Sequence, residues 1–154
     1  MKIEELRDPS PEVLDELLAV WEQSVRSSHG FLSEEDIDFF KPLIRNEYFR
    51  AVRLFVIRGA DGHIAAFMGL SDEMIEMLFV RPDEQGRGHG KALVSLAINK
   101  YHIYKVDVNE QNPQALGFYL RMGYQITGRD ALDPTGKPFP ILHMSLIPPP
   151  HPAP

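Results

Sequence analysis

The chain has 154 residues, with 16 Lys and Arg against 22 Asp and Glu, and a net charge of −6. That length suits one domain burying about two-thirds of its unfolded surface, and the negative charge argues against nucleic acid as the main partner. Cysteine is absent, which excludes disulfides, thiolate metal sites and a cysteine nucleophile. No apolar run approaches the roughly eighteen residues of a membrane span, and Met1-Lys2 leads into Ile3-Glu4-Glu5-Leu6 without a signal peptide, so no membrane partner is expected and a cytoplasmic location is the default.

In chain order, Lys2–Arg7 reads as a short strand. Ser10-Pro11 supplies an N-cap and a proline at the first helical position, opening a helix through Val13, Leu14, Leu17, Leu18 and Trp21 at three- and four-residue spacing. Ser33 before Glu34, Glu35 and Asp36 starts a second helix, expected to run to about Arg45. Leu54–Arg58 and Ile64–Ser71 are strands joined by the hairpin signal Gly59-Ala60-Asp61-Gly62. Met74–Val80 is a further strand, ended by Pro82, and Lys91–Ile98 is helical. Tyr104–Val108 is a strand, Pro113–Met122 a helix with Gly123 at its C-cap, and Tyr124–Gly128 and Ile141–Ile147 complete the sheet. The order predicts an α/β domain over residues 1–147, with a mixed, largely antiparallel sheet flanked by helices. The tail Pro148-Pro149-Pro150-His151-Pro152-Ala153-Pro154 suits neither strand nor helix and is expected to be disordered.

Between the strand ending at Val80 and the next helix lies Gln85-Gly86-Arg87-Gly88-His89-Gly90. Strand, glycine-rich turn and helix together make a pyrophosphate site. The glycines admit close approach to main-chain N–H groups, and the helix start adds unpaired donors and partial positive charge. A Walker loop requires a hydroxyl after its lysine, whereas Ala92 follows Lys91. A dinucleotide fingerprint requires G-x-G-x-x-G, whereas the spacing here is G-x-G-x-G. From Arg81 to Lys91 the cations Arg81, Arg87 and Lys91 outnumber Asp83 and Glu84, a local excess of one positive charge in an acidic chain.

The pattern Q-x-x-G-x-G resembles the acetyl-CoA pyrophosphate loop of the GNAT N-acetyltransferase superfamily. A second block, from Asn109 through Ala115, Phe118-Tyr119 and Gly123-Tyr124, is similar to that superfamily's N-x-x-A-x-x-F-Y-x-x-x-G-[FY] segment. The two cover roughly residues 74–130. The resemblance implies an N-acetyltransferase that moves an acetyl group from acetyl-CoA to a primary amine by direct attack in a ternary complex. It implies that backbone groups of Leu78, Phe79 and Val80 pair with the pantetheine arm. Gln85, Gly86, Arg87, Gly88, His89, Gly90 and Lys91 then enclose the pyrophosphate, and Asn112 contacts the coenzyme or simply caps the helix at Pro113.

A lysine-like amine, with a pKa of about 10.4, is neutral in only about one molecule in a few thousand at pH 7, so some acceptor for its proton is needed. The leaving thiol, at about 8.5, can be protonated by a phenol at about 10 for modest cost. The resemblance places that phenol at Tyr119, whose plainer role is an aromatic packed beside Phe118. Glu76 is the candidate base. It lies in an apolar strand in which 74, 76, 78 and 80 should share one face, and burial there would raise its pKa. A partly solvated strand acid, with water carrying the proton, is the competing reading.

The junction Ser24–Leu32 joins the first two helices, a region that shapes the acceptor site in this superfamily, and it is similar to that of YjaB-like bacterial acetyltransferases. Ser28, His29 and Phe31 are therefore the expected acceptor contacts; His29 orients an acceptor or moves a proton, or else is a surface histidine. Glu34, Glu35, Asp36 and Asp38 either draw in a cationic amine or complement a helix N-terminus. His143 faces the cleft or solvent. The histidines at 29, 63, 89, 102, 143 and 151 form no i, i+4 pair, and no metal is expected. A catalytically silent sensor of coenzyme A and a protein-interaction module are the alternative functions. The acceptor is a small molecule or a peptide or protein amine, and the protein a monomer or a homodimer.

Overall fold

A computed structural model describes residues 2–147; the proline-rich tail lies outside the described residues. A seven-stranded sheet runs through it in the spatial order β1-β2-β3-β4-β5-β7-β6, where β1 is Glu4–Leu6, β2 Arg53–Arg58, β3 Ile64–Leu70, β4 Met74–Val80, β5 Lys105–Asn109, β6 Tyr124–Asp130 and β7 Ile141–Leu146. Every neighbouring pair is antiparallel except β4 and β5. Four α-helices accompany it among the described residues: α1 Pro11–Ser28, α2 Glu34–Leu43, α3 His89–Asn99 and α4 Pro113–Arg121.

The helix starts follow from capping chemistry. The Ser10 side chain accepts the Val13 N–H ahead of Pro11, and Ser33 and Asp36 exchange bonds in a capping box. The second helix departs from the expected end at Arg45. Pro42 cannot donate to the helical ladder, and the α-helix stops at Leu43 and widens into a π-helical turn, Ile44–Tyr48, closed by Phe49 N–H on the Ile44 carbonyl.

Two apolar layers cover the sheet. On one face Leu14, Leu17, Val20, Trp21 and Val25 of α1 bury against Leu54, Val56, Ile64 and Phe67. On the other, Leu93, Val94 and Ala97 of α3 and Tyr119 of α4 join Phe55, Ile57, Ala66, Met68, Ile75, Val106, Val108 and Met144. Strand β3 is buried along its whole length, as its unbroken apolar run requires. The three C-terminal strands differ. In β5, Val106 and Val108 are buried while Lys105 and Asp107 are exposed, so the sheet face opposite α3 and α4 is open there.

Strand β4 breaks its own alternation. Gly69 pairs with Met77 but Leu70 pairs with Ile75, leaving Glu76 as an extra residue in a β-bulge. Ile75 therefore shares a layer with Leu78 and Val80, while Met77 and Phe79 pack on the α1 side. The strict alternation expected from the sequence holds only after the bulge, and Glu76 is exposed rather than buried.

Candidate active site

The parallel pair β4 and β5 is joined only at Met74–Lys105 and Ile75–Val106. Beyond that point the strands diverge. The β4 edge from Glu76 to Val80 has no strand beside it, although on the other side Met77 to Val80 are paired with β3. Arg81 N–H bonds the Ala65 carbonyl, so by alternation the main-chain groups of Phe79 also face β3, a correction to its expected role. Those of Leu78 and Val80 face the free edge, and an extended amide-bearing ligand is the natural complement to such an edge.

At the end of this edge lies the glycine turn. Gly86 and Gly88 have φ of +78° and +84°, the left-handed region that side-chain-bearing residues avoid. Gly88 is also the N-cap of α3, so no side chain covers the first N–H groups of the helix. The first turn-closing bond runs from Ala92 N–H to the Gly88 carbonyl, leaving the N–H groups of His89, Gly90 and Lys91 without helical partners. Gly90 serves packing instead, since an added Cβ would lie 3.4 Å from Phe118 Cζ.

The charges of the turn are less available than the sequence implies. Arg81 is tied to Asp83 at 2.7 Å and Arg87 to the buried Glu84 at 3.2 Å, while Lys91 forms no ion pair among the described residues. The Gln85 amide reaches back 3.5 Å to the Val80 carbonyl. His89 is a partial correction. Its ring is buried with Nε2 3.5 Å from Glu84 Oε1, so it offers a ligand its backbone N–H and not its imidazole.

A cleft of about 1010 Å³ joins the turn, the diverging strands and the α1–α2 junction. Tyr119 and Asn112 line it from α4, Ser28, His29 and Phe31 from the junction, and Glu76 from the bulge. Tyr119 is buried, edge-on to both Phe118 and Tyr124, and burial raises its pKa so that the phenol stays protonated.

His29 is not a surface residue. It is 8 % exposed, and desolvation lowers its pKa to about 4, so the ring is neutral near pH 7. Its hydrogen bonds set the tautomer. Ser28 Oγ donates to the Ser24 carbonyl at 2.9 Å and lies 2.8 Å from His29 Nδ1, which must then carry the proton. Nε2 is left as an acceptor, 3.5 Å from Asn112 Nδ2, while Asn112 Oδ1 accepts Ala115 N–H at 3.2 Å. Asn112 is therefore a helix cap and a link from α4 to the α1 junction at once. Phe31 lies 5.2 Å from the His29 ring and 5.4 Å from Phe139, a cleft-lining ring from the segment before β7 that the sequence reading missed.

The acids beside Ser33 take the plainer of their two readings. Asp36 caps α2 and pairs with Lys137, and Glu34 pairs with Arg26. His143 lies between two carboxylates, a cluster invisible in the sequence because its members are far apart in the chain. No group of three or more His, Asp or Glu side chains among the described residues is arranged to hold a metal ion. No helix among the described residues is long and apolar enough to cross a membrane.

A family model of the acetyltransferase (GNAT) domain matches residues 31–136. The chain belongs to this family. Peptidyl-lysine N-acetyltransferase YjaB of Escherichia coli K12 is 37% identical over 133 residues, which span 86% of this chain and 90% of that protein. The solution structure of apo YjaB from Escherichia coli superposes with a TM-score of 0.82 at 36% identity, covering 96% of this chain and 99% of that one. The fold alone is shared with the PaiA N-acetyltransferase of Thermoplasma acidophilum, solved in complex with coenzyme A, at TM-score 0.68 and 21% identity over 94% of this chain and 99% of that one. This GNAT protein is an acetyl-CoA-dependent N-acetyltransferase, and the diverging strands with the glycine turn fit its cosubstrate in shape and in unpaired donors.

Proposed function

We propose that this enzyme acetylates the side-chain amine of lysine in peptides or proteins, in a cytoplasmic setting, by direct attack within a ternary complex. The observation that carries the reading is the single cleft, open at one end to the glycine turn and at the other to the aromatic-walled α1–α2 junction. The relative YjaB is named for peptidyl-lysine acetylation, and 37% identity over 86% of this chain supports the same acceptor class.

Acetyl-CoA supplies an activated thioester and a leaving thiol. Main-chain groups of Leu78 and Val80 hold the pantetheine amides, and one N–H there stabilises the developing oxyanion. The turn Gln85–Lys91, through backbone donors and the Lys91 ammonium, holds the pyrophosphate. Tyr119 protonates the departing sulfur. Burial raises the pKa of the phenol, which keeps the proton on Tyr119 until the thiolate forms.

His29 is neutral and already uses Nδ1 as a donor, so it positions the acceptor chain with Ser28 and Phe31 and does not carry charge. Glu76, exposed at the mouth, receives the acceptor ammonium, and the proton leaves through water in the cleft.

The test is mass spectrometry of a lysine-containing peptide incubated with enzyme and acetyl-CoA. A single acetyl group on the lysine side chain is expected. Acetylation of free small amines with the peptide untouched would overturn the acceptor assignment.

A further inference from the structure

Three adjacent strands bring Asp107, His143 and Asp130 together on the open face of the sheet, with Asp130 opposite Ile141 and so diagonally across from His143. Asp107 of β5 is the register partner of His143 of β7. His143 Nδ1 lies 2.6 Å from Asp107 Oδ1 and Nε2 2.7 Å from Asp130 Oδ2. Carboxylates only accept, so two such contacts call for a proton on both ring nitrogens, and the bridge is an imidazolium between two anions. The two carboxylates also raise the pKa of His143, consistent with that geometry. His143 and Asp107 are each 37% exposed and Asp130 69% exposed, which makes the bridge too solvated to be a large contributor to folding.

Its place matters more than its strength. Ile75 and Val106 form the last pair before β4 and β5 diverge, and both side chains lie in the layer beneath α3. The next residue on each strand turns to the opposite face, and those residues are Glu76 and Asp107. Both line the cleft. Two carboxylates thus flank the mouth of the divergence on the side away from α3.

We propose that Asp107 is an acceptor-binding residue that takes the lysine ammonium together with Glu76, and that His143, anchored by Asp130, is the positioning residue that aims the Asp107 carboxylate. This rests on the lysine reading above and names which side chains meet the incoming charge. Replacing His143 also removes a positive charge nearby, which would by itself favour a cationic acceptor. That charge sits within a Debye length of an ammonium on Asp107, so the two effects oppose each other in sign: a raised peptide KM reports lost aim of the carboxylate, and a lowered KM overturns the positioning role.

The experiment is steady-state kinetics with two acceptors at pH 7, a lysine peptide and O-methylhydroxylamine, an amine that is neutral there. Wild type is compared with Asp107→Asn, His143→Gln and Asp130→Asn, with acetyl-CoA affinity and melting temperature measured for each. Asp107→Asn should raise the peptide KM about fivefold, with kcat within about twofold, coenzyme affinity unchanged and the neutral amine unaffected. His143→Gln should raise the peptide KM in the same sense by about threefold, and Asp130→Asn by less. In wild type, the His143 ring resonances should shift when peptide is added in the presence of coenzyme A, and should not shift in Asp107→Asn. An unchanged peptide KM in a folded Asp107→Asn protein overturns the assignment of Asp107. A lowered melting temperature in His143→Gln with wild-type KM reduces the bridge to a strand tie and overturns the positioning role. Wild type that binds acetyl-CoA yet leaves the peptide unmodified defeats the lysine reading instead.

Discussion

The two ends of the cleft are built differently. The end proposed for the coenzyme is made of main chain: the free β4 edge at Leu78–Val80, the left-handed glycines 86 and 88, and the uncapped start of α3. All of it comes from one continuous stretch of sequence. The end proposed for the acceptor is made of side chains from separate places: His29 and Phe31 after α1, Glu76 at the bulge, Asp107 on β5 and Phe139 before β7. Backbone geometry tolerates side-chain change and fixes a common ligand, whereas a wall of side chains can be altered one residue at a time to suit a different amine. The difference teaches where specificity resides, and it can be broken in four places.

The largest expected effect is on stability in acid. His29 is held neutral, with its pKa lowered to about 4, while in the unfolded chain it titrates near 6.5. The unfolded state therefore binds more protons between these values. Stability from this group is whole above about pH 6.5, falls as pH drops, and is lost by about pH 4, up to about 3 kcal/mol in all. Denaturant titrations of wild type and His29→Gln across this range should converge at low pH, and parallel curves would show that the ring is not held neutral.

Next is Tyr119→Phe, expected to lower turnover on the order of 10²-fold with acetyl-CoA affinity little changed. Unaltered turnover would return this ring to a packing role beside Phe118 and Tyr124. At the coenzyme end, Gly88→Leu has open space for its side chain but a φ of +84° against it. Strain of about 1–2 kcal/mol, together with obstruction of the phosphates, should weaken acetyl-CoA about tenfold or more, and normal affinity would move the pyrophosphate away from this turn. The smallest effect is expected from Glu76→Gln. With the proton leaving by water, the acceptor KM should rise a few-fold, as for an exposed ion pair, while the dependence of rate on pH keeps its shape. Loss of one limb of that profile would make Glu76 the base after all.

The same contrast explains what the sequence made legible. Strand positions along the chain, helix starts and the glycine turn rest on local rules of capping, periodicity and positive φ, and Ser10, Ser33, Gly88 and Gly123 behave as those rules require. The misreadings come from non-local effects. The bulge at Glu76 depends on the register with Gly69 and Leu70, so its exposure could not follow from alternation alone. His89 looks like a ligand contact until Glu84 takes its ring inward. The link from His29 to Asn112 spans 83 residues, and the bridge from Asp107 to His143 spans 36, with no spacing motif to announce either. Pro42 did carry a local signal, and the end of α2 was within reach of it.

The most direct measurement is a calorimetric titration of acetyl-CoA into the purified protein, with acetate and adenosine diphosphate as controls. One site of micromolar affinity, with neither control matching it, is the predicted result and would fix the backbone-built end of the cleft as the coenzyme site. No detectable heat at several temperatures, with no thermal shift on adding acetyl-CoA, would contradict the account.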